Sequence, residues 1–197
     1  ICLNYSSKFE EAANLCENYN FNKFSKLLDL GGLPFIQAII IKNKFPHLQL
    51  ILTDFDKGSI RVHQDLEFFK KLECNIDVFD IKNDNLNDLS GKFDVITMWG
   101  VDYALSDLEL INFYKFISNE NKKRNVVVLL ASIRCNDFKV KIPLFKKSIN
   151  RIINFVRKIY VEKKPLLASY LRNQKIRFHG YLRSPETITN LANIGGC

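Results

Sequence analysis

Ser25–Ser59 reads SKLLDLGGLPFIQAIIIKNKFPHLQLILTDFDKGS. The apolar run Lys26–Leu30 carries Asp29 and ends on Gly31-Gly32. Pro34 then opens an apolar segment to Phe45, and a second apolar run, Leu48–Thr53, closes on Asp54. The order is strand, glycine turn, helix, strand. Two parallel strands need a crossover of a dozen or more residues, usually a helix, so a βαβ unit is the natural fold for this stretch. Glycines at the end of the first strand let a ligand approach the backbone. The helix behind them offers unpaired N–H groups. An acid at the end of the second strand can accept from two ribose hydroxyls. The unit points to an adenine-nucleoside-type cofactor.

The rest of the chain continues the alternation. A helical stripe (Phe9, Ala12, Ala13, Cys16, Tyr19) precedes the first strand. One helix is expected from Lys57 to Leu72 with Ile60, Leu66 and Phe69 inward, then a third strand over Asn75–Asp80. A fourth strand follows over Phe93–Met98. Ser106 and Glu109 form a capping box that opens a helix to about Ser118. Val126–Ala131 is apolar throughout, as expected of a strand buried on both faces. Strands alternating with helices predict a Rossmann-like, doubly wound α/β fold, with a mainly parallel sheet covered by helices on both faces. The expected division is a core over 1–133 that includes the N-terminal helix, and a basic helical lid or substrate segment over 134–197. The latter ends in a helix capped by Ser184 with Pro185 at its first position. Further helices are expected over Leu144–Tyr160 and Leu166–Leu171.

Composition narrows the chemistry. Cys2, Cys16, Cys74, Cys135 and Cys197 are scattered without a CxxC pair, and the three histidines lie far apart. Neither a disulfide framework nor a protein-built metal site is expected. No uninterrupted 18-residue apolar run or signal-peptide pattern occurs, so a cytoplasmic protein is expected, with peripheral attachment to an anionic membrane surface as an option. The net charge of +8 is uneven: Arg134–Arg183 holds fourteen Lys or Arg against Asp137 and Glu162, a local +12, while the remainder nets −4. That segment reads as a lid over an acceptor, a cationic amphipathic helix on anionic lipid, or a nucleic-acid contact with interleaved aromatics.

The strand ends then converge on one rim: Asp29 and Gly31, Asp54, Asp80, and Trp99. In this order and spacing the chain resembles the class I S-adenosylmethionine-dependent methyltransferases over about Lys26–Ser132, with an echo at Arg183-Ser184-Pro185-Glu186. The resemblance implies S-adenosylmethionine as cofactor. It implies that Asp29-Leu30-Gly31-Gly32-Leu33 passes the methionine part, that Asp54 takes the ribose hydroxyls with Phe55 on the adenine, that Asp80 and Ile81 meet the adenine edge, and that Met98 and Trp99 lie near the reacting methyl. Leu33 and Phe35 stand where that family usually has further glycines. The family also adds two strands beyond the fifth helix, so the sequence, which starts at Ile1 and stops at Gly195-Gly196-Cys197, is expected to be truncated. A nicotinamide-binding fold fits less well, for it wants G-x-G-x-x-G.

The expected activity is methyl transfer to a small molecule or a glycan- or lipid-linked acceptor. The alternatives are an RNA-binding or RNA-modifying protein that uses the basic segment, and a non-catalytic protein of the same fold. No general base is assigned; Asp102, Tyr103 and His179 are the candidates.

Overall fold

The computed structural model describes residues 5–131, 181, 183 and 185–197. The helices expected over 144–160 and 166–171, His179, the expected cap Ser184, and the basic segment apart from Tyr181 and Arg183 lie outside these residues.

Five strands form one parallel sheet: β1 (Lys26–Leu30), β2 (Gln49–Asp54), β3 (Asn75–Val78), β4 (Val95–Trp99) and β5 (Val127–Ala131). Their order is β3-β2-β1-β4-β5. The chain therefore winds outward from β1 in one direction and from β4 in the other, the doubly wound order expected. β1 pairs with β2 from Lys26↔Gln49 to Leu30↔Thr53, and with β4 from Leu27↔Val95 to Asp29↔Thr97. Helices α1 (Tyr5–Asn18), α2 (Ile36–Lys44), α3 (Lys57–Asp65), α4 (Glu67–Lys71), α5 (Asp107–Asn121) and α6 (Pro185–Gly195) accompany them. None of the described helices is long and apolar enough to cross a membrane.

The chain divides into two compact units. The first, Ile1–Val101 with Asn119–Ala131, contains the whole sheet. One face of that sheet packs Leu27, Leu50, Leu52 and Val95 against Phe35, Ala38 and Ile41 of the β1–α2 segment and Ile60 of α3. Each of these side chains is removed from water, which supplies roughly 1.5–3 kcal/mol for every large one. An aromatic group of Tyr19, Phe21, Phe24 and Phe45 closes the near end, with ring centroids 5.2 to 6.3 Å apart.

The single helix expected over Lys57–Leu72 is instead two. Leu66 adopts an extended backbone (φ −68°, ψ 125°) between α3 and α4. Ile60 and Phe69 are both buried, whereas Leu66 is 45% exposed. Nine positions separate Ile60 from Phe69, which is two and a half turns of a straight helix and would put them on opposite faces. The break at Leu66 turns both inward and leaves Leu66 outside.

Glu120, at the end of α5, is buried yet ionised. It accepts from Ser90 Oγ (2.7 Å), Gly91 N–H (3.2 Å), Lys123 Nζ (2.9 Å) and Arg124 Nη2 (2.9 Å). Burial alone would raise its pKa. The donated hydrogen bonds outweigh burial and lower it from 4.5 to about 2. The folded value lies below the unfolded one, so this stabilisation is complete above pH 4.5 and disappears as the pH falls towards 2. The urea midpoint of the wild type should exceed that of Glu120→Gln near neutrality, and the gap should close steadily across this acid window.

The second unit, Asp102–Ser118 with Ser132–Cys197, is tied at Arg183. This guanidinium is buried. It donates through Nε and Nη2 to Asp107 Oδ1 (2.9 and 2.7 Å), through Nη1 to the Asp102 carbonyl (2.7 Å) and through Nη2 to the Leu105 carbonyl (2.7 Å). Tyr181 lies under it at 5.2 Å and donates its own N–H to the Tyr103 carbonyl. The expected capping box is present: Ser106 and Glu109 exchange hydrogen bonds at the start of α5. A lysine lacks the planar fork needed to reach three acceptors at once. Arg183→Lys should therefore cost about 2 kcal/mol in chemical denaturation, the loss expected for buried charged hydrogen bonds.

Candidate active site at the β1–β4 switch point

In open α/β sheets the crevice lies beyond the carboxyl ends of the strands, where the winding direction reverses. Here that point falls between β1 and β4. Leaving β1, Gly31 takes a left-handed backbone (φ 69°), and its N–H and that of Gly32 both donate to the Thr53 carbonyl of β2 (2.8 and 3.3 Å). A Cβ on Gly31 would sit 2.6 Å from Val101 Cγ2, in the loop that follows β4. The two ends of the switch are thus in contact.

Asp29 braces this loop from inside. It is 0% exposed, its Oδ1 accepts from Thr97 Oγ1 of β4 (2.8 Å), and its carbonyl accepts from Thr53 Oγ1 (3.1 Å). Its carboxylate lies where a side chain on Gly32 would be, for a Cβ there would fall 1.9 Å from Oδ2. The acid and the glycine therefore come as a pair, and the sequence pattern acid–x–Gly–Gly has a steric cause.

Beyond Gly32 the chain passes Leu33, packed against the core cluster, and Pro34 to reach α2. Pro34 lies outside the helix, not at its first position. Phe35 is the N-cap, in the left-handed region (φ 64°), and makes no side-chain capping hydrogen bond. A non-glycine residue rarely adopts this backbone, which costs about 1–2 kcal/mol. The ring is fully buried and meets His63 and Phe69 edge-on at 5.5 and 6.1 Å. Burying a phenylalanine outweighs that strain.

The other rim residues sort by strand parity. Side chains two apart share a sheet face. Leu27 and Asp29, Leu50, Leu52 and Asp54, and Val95, Thr97 and Trp99 therefore point to the same face, the one that carries the main cluster. Asp54 is nearly buried at the last residue of β2, and its Oδ1 accepts from the Asp56 N–H (3.0 Å). Phe55 beside it is 68% exposed. Asp56 then caps α3, accepting from Gly58 N–H and Ser59 Oγ, and these bonds lower its pKa.

β3 stops at Val78, two residues short of Asp80. Asp80 accepts from Lys82 N–H (2.9 Å) and Asn83 Nδ2 (2.6 Å), so it shapes the local turn; Ile81 beside it is half-buried. Trp99 ends β4, half-buried against the cluster, while Met98 faces the other way and is fully enclosed. After β4, Asp102 is buried and Tyr103 is partly exposed in the turn Asp102–Ala104. Among the described residues no group of three His, Cys, Asp or Glu is placed to hold a metal.

Sequence reading did not find Thr53, Thr97 or Gln37. The threonines were detectable as lone hydroxyls in otherwise apolar strands. Gln37 gave no signal, since glutamine on a helix ordinarily faces water, whereas here it is 1% exposed.

No protein-family model matches the sequence, and no curated protein matches it. Solved structures do. The mitomycin 7-O-methyltransferase MmcR superposes with a TM-score of 0.62 at 15% identity, over 97% of this chain and 48% of that one. The S-adenosylmethionine-dependent methyltransferase SibL in its apo form gives 0.61 at 14%, over 98% and 50%. Human N-acetylserotonin methyltransferase in complex with SAM gives 0.57 at 15%, over 98% and 51%. The chain has the class I S-adenosylmethionine-dependent methyltransferase fold. It spans about half the length of these neighbours.

Gly32→Ala forces the new methyl onto the Asp29 carboxylate and should cost about 1–3 kcal/mol, as overpacking does. The penalty should shrink in an Asp29→Ala background. A double-mutant cycle by urea denaturation measures that coupling.

Proposed function

We propose that this chain is an S-adenosylmethionine-dependent methyltransferase acting on a small molecule, free or carried on a glycan or lipid. The observation that carries the reading is the junction of an acid-braced glycine loop with the β1–β4 switch point, with Asp54 at the end of the neighbouring strand. The neighbours named for mitomycin and N-acetylserotonin support the small-molecule branch.

The residues present fit the cofactor. A carboxylate has about four acceptor positions, and Asp54 gives one to Asp56, which leaves capacity for two ribose hydroxyls. The exposed ring of Phe55 offers an apolar face to an adenine beside that ribose. Gly31 takes the left-handed backbone with which the chain leaves β1 for the loop. When bound, the cofactor supplies an electrophilic methyl group on a cationic sulfur. The protein's share is then to hold donor and acceptor in line and to keep water out, and alignment of this kind supplies a large part of the rate. Asp29, Gly31, Gly32, Leu33, Asp54, Phe55, Asp80, Ile81 and Trp99 make up the proposed binding set, with Asp29 acting through the loop and not by direct reach.

Titration calorimetry with S-adenosylhomocysteine should detect binding to the wild-type chain. Asp54→Ala should weaken it about tenfold or more, the worth of hydrogen bonds to a charged group. No heat from the wild type, or an unchanged affinity in a folded Asp54→Ala variant, overturns the reading.

A further inference from the structure

Among the described strands β3 ends the sheet on one side. An edge strand presents a row of backbone N–H and C=O groups to which a second chain can add. Which groups of β3 face outward follows from the register. Asp77 and Val78 lie beside Thr53 and Asp54 of β2, and the Phe79 N–H, just beyond β3, donates to the Asp54 carbonyl. Backbone groups alternate in direction along a strand. Asp77 and Phe79 therefore face β2, and Ile76 and Val78 turn their N–H and C=O groups outward.

A donor and an acceptor on this outer edge are already taken by side chains. The Ile76 carbonyl accepts from Gln64 Nε2 of α3 (2.7 Å), and the Val78 N–H donates to Asp77 Oδ1 (2.8 Å). The two are a matched pair. A second copy lying antiparallel across a two-fold axis, with Ile76 opposite Val78, would join the Val78 N–H of each chain to the Ile76 carbonyl of the other. The edge is also short, at four residues. Glu73 turns the chain in the left-handed region (φ 53°) just before it, and the Asp80 turn follows it. The side chains of Ile76 and Val78 are half-buried against the core cluster. These positions have to stay apolar, so protection of the edge comes from their neighbours.

We propose that Gln64 and Asp77 form a lock on the β3 edge: they occupy the acceptor and the donor through which two copies of this chain would join their sheets. Both side chains are exposed, and an exposed hydrogen bond adds little to the stability of a single chain. What it changes here is whether the edge accepts another strand. The lock is independent of the cofactor reading and stands or falls without it.

Gln64→Met removes the side-chain donor at nearly unchanged length, and Asp77→Ala removes the side-chain acceptor without adding apolar bulk. In sedimentation velocity the double variant should self-associate about tenfold more tightly than the wild type, in keeping with the hydrogen bonds newly open between chains. Each single variant should fall between the two. Amide hydrogen exchange should slow at Ile76 and Val78 as the double variant is concentrated. Asp77→Asn, which keeps the acceptor and loses the charge, should match the wild type. Unchanged association in a double variant with wild-type circular dichroism overturns the proposal. Association without added protection at Ile76 and Val78 marks a different surface and also overturns it. Association of Asp77→Asn equal to that of Asp77→Ala assigns the guard to charge and removes the hydrogen-bond lock. Association that appears only with loss of helical circular dichroism marks unfolding and removes it too.

Discussion

A carboxylate with no exposure to water holds the central turn of this protein. Taking Asp29 out of solvent is costly unless hydrogen bonds replace hydration, and the replacement comes from the neighbouring strand through the Thr97 hydroxyl. On its other side the Asp29 carbonyl is held by the Thr53 hydroxyl, and the Thr53 carbonyl in turn takes the N–H groups of Gly31 and Gly32. Three adjacent strands therefore fix one short loop. The loop has a single shape because every alternative would strand a buried carboxyl group or a backbone donor. Gly32 has no side chain because the carboxylate already occupies that volume.

The same economy governs the start of α2. A glycine at position 35 would enter the left-handed region freely. This chain has phenylalanine there, and the backbone keeps the glycine-like conformation anyway. The ring makes that tolerable, since it fills a site between His63 and Phe69 that a glycine would leave empty. The loop has thus exchanged conformational ease for core volume. The split of α3 from α4 belongs to the same arrangement, since the break at Leu66 is what turns Phe69 towards Phe35.

Charge told a partial story. Arg183 counts towards the basic C-terminal stretch, yet it is buried and spends its donors on Asp107 and two carbonyls. Glu120 is likewise a buried carboxylate made stable by four donors, near the end of α5. Net charge over a window describes an electric field. It does not say which side chains face outward, and that depends on which backbone carbonyls the fold leaves in need of a donor.

The sequence by itself determined the alternation of strands and helices, the parallel doubly wound sheet, the glycine turn after β1 and the acids at 29 and 54. These follow from local causes: runs of apolar residues set strands, and glycine beside an acid sets a turn. Only the tertiary structure decided that Asp29 faces inward as a brace, that Asp80 also accepts from its own turn, and that Gln37 lies buried. The reason is physical. Burial and hydrogen-bond partnership depend on which strands become neighbours, and residues 29, 53 and 97 meet through pairings that no local stretch of chain contains.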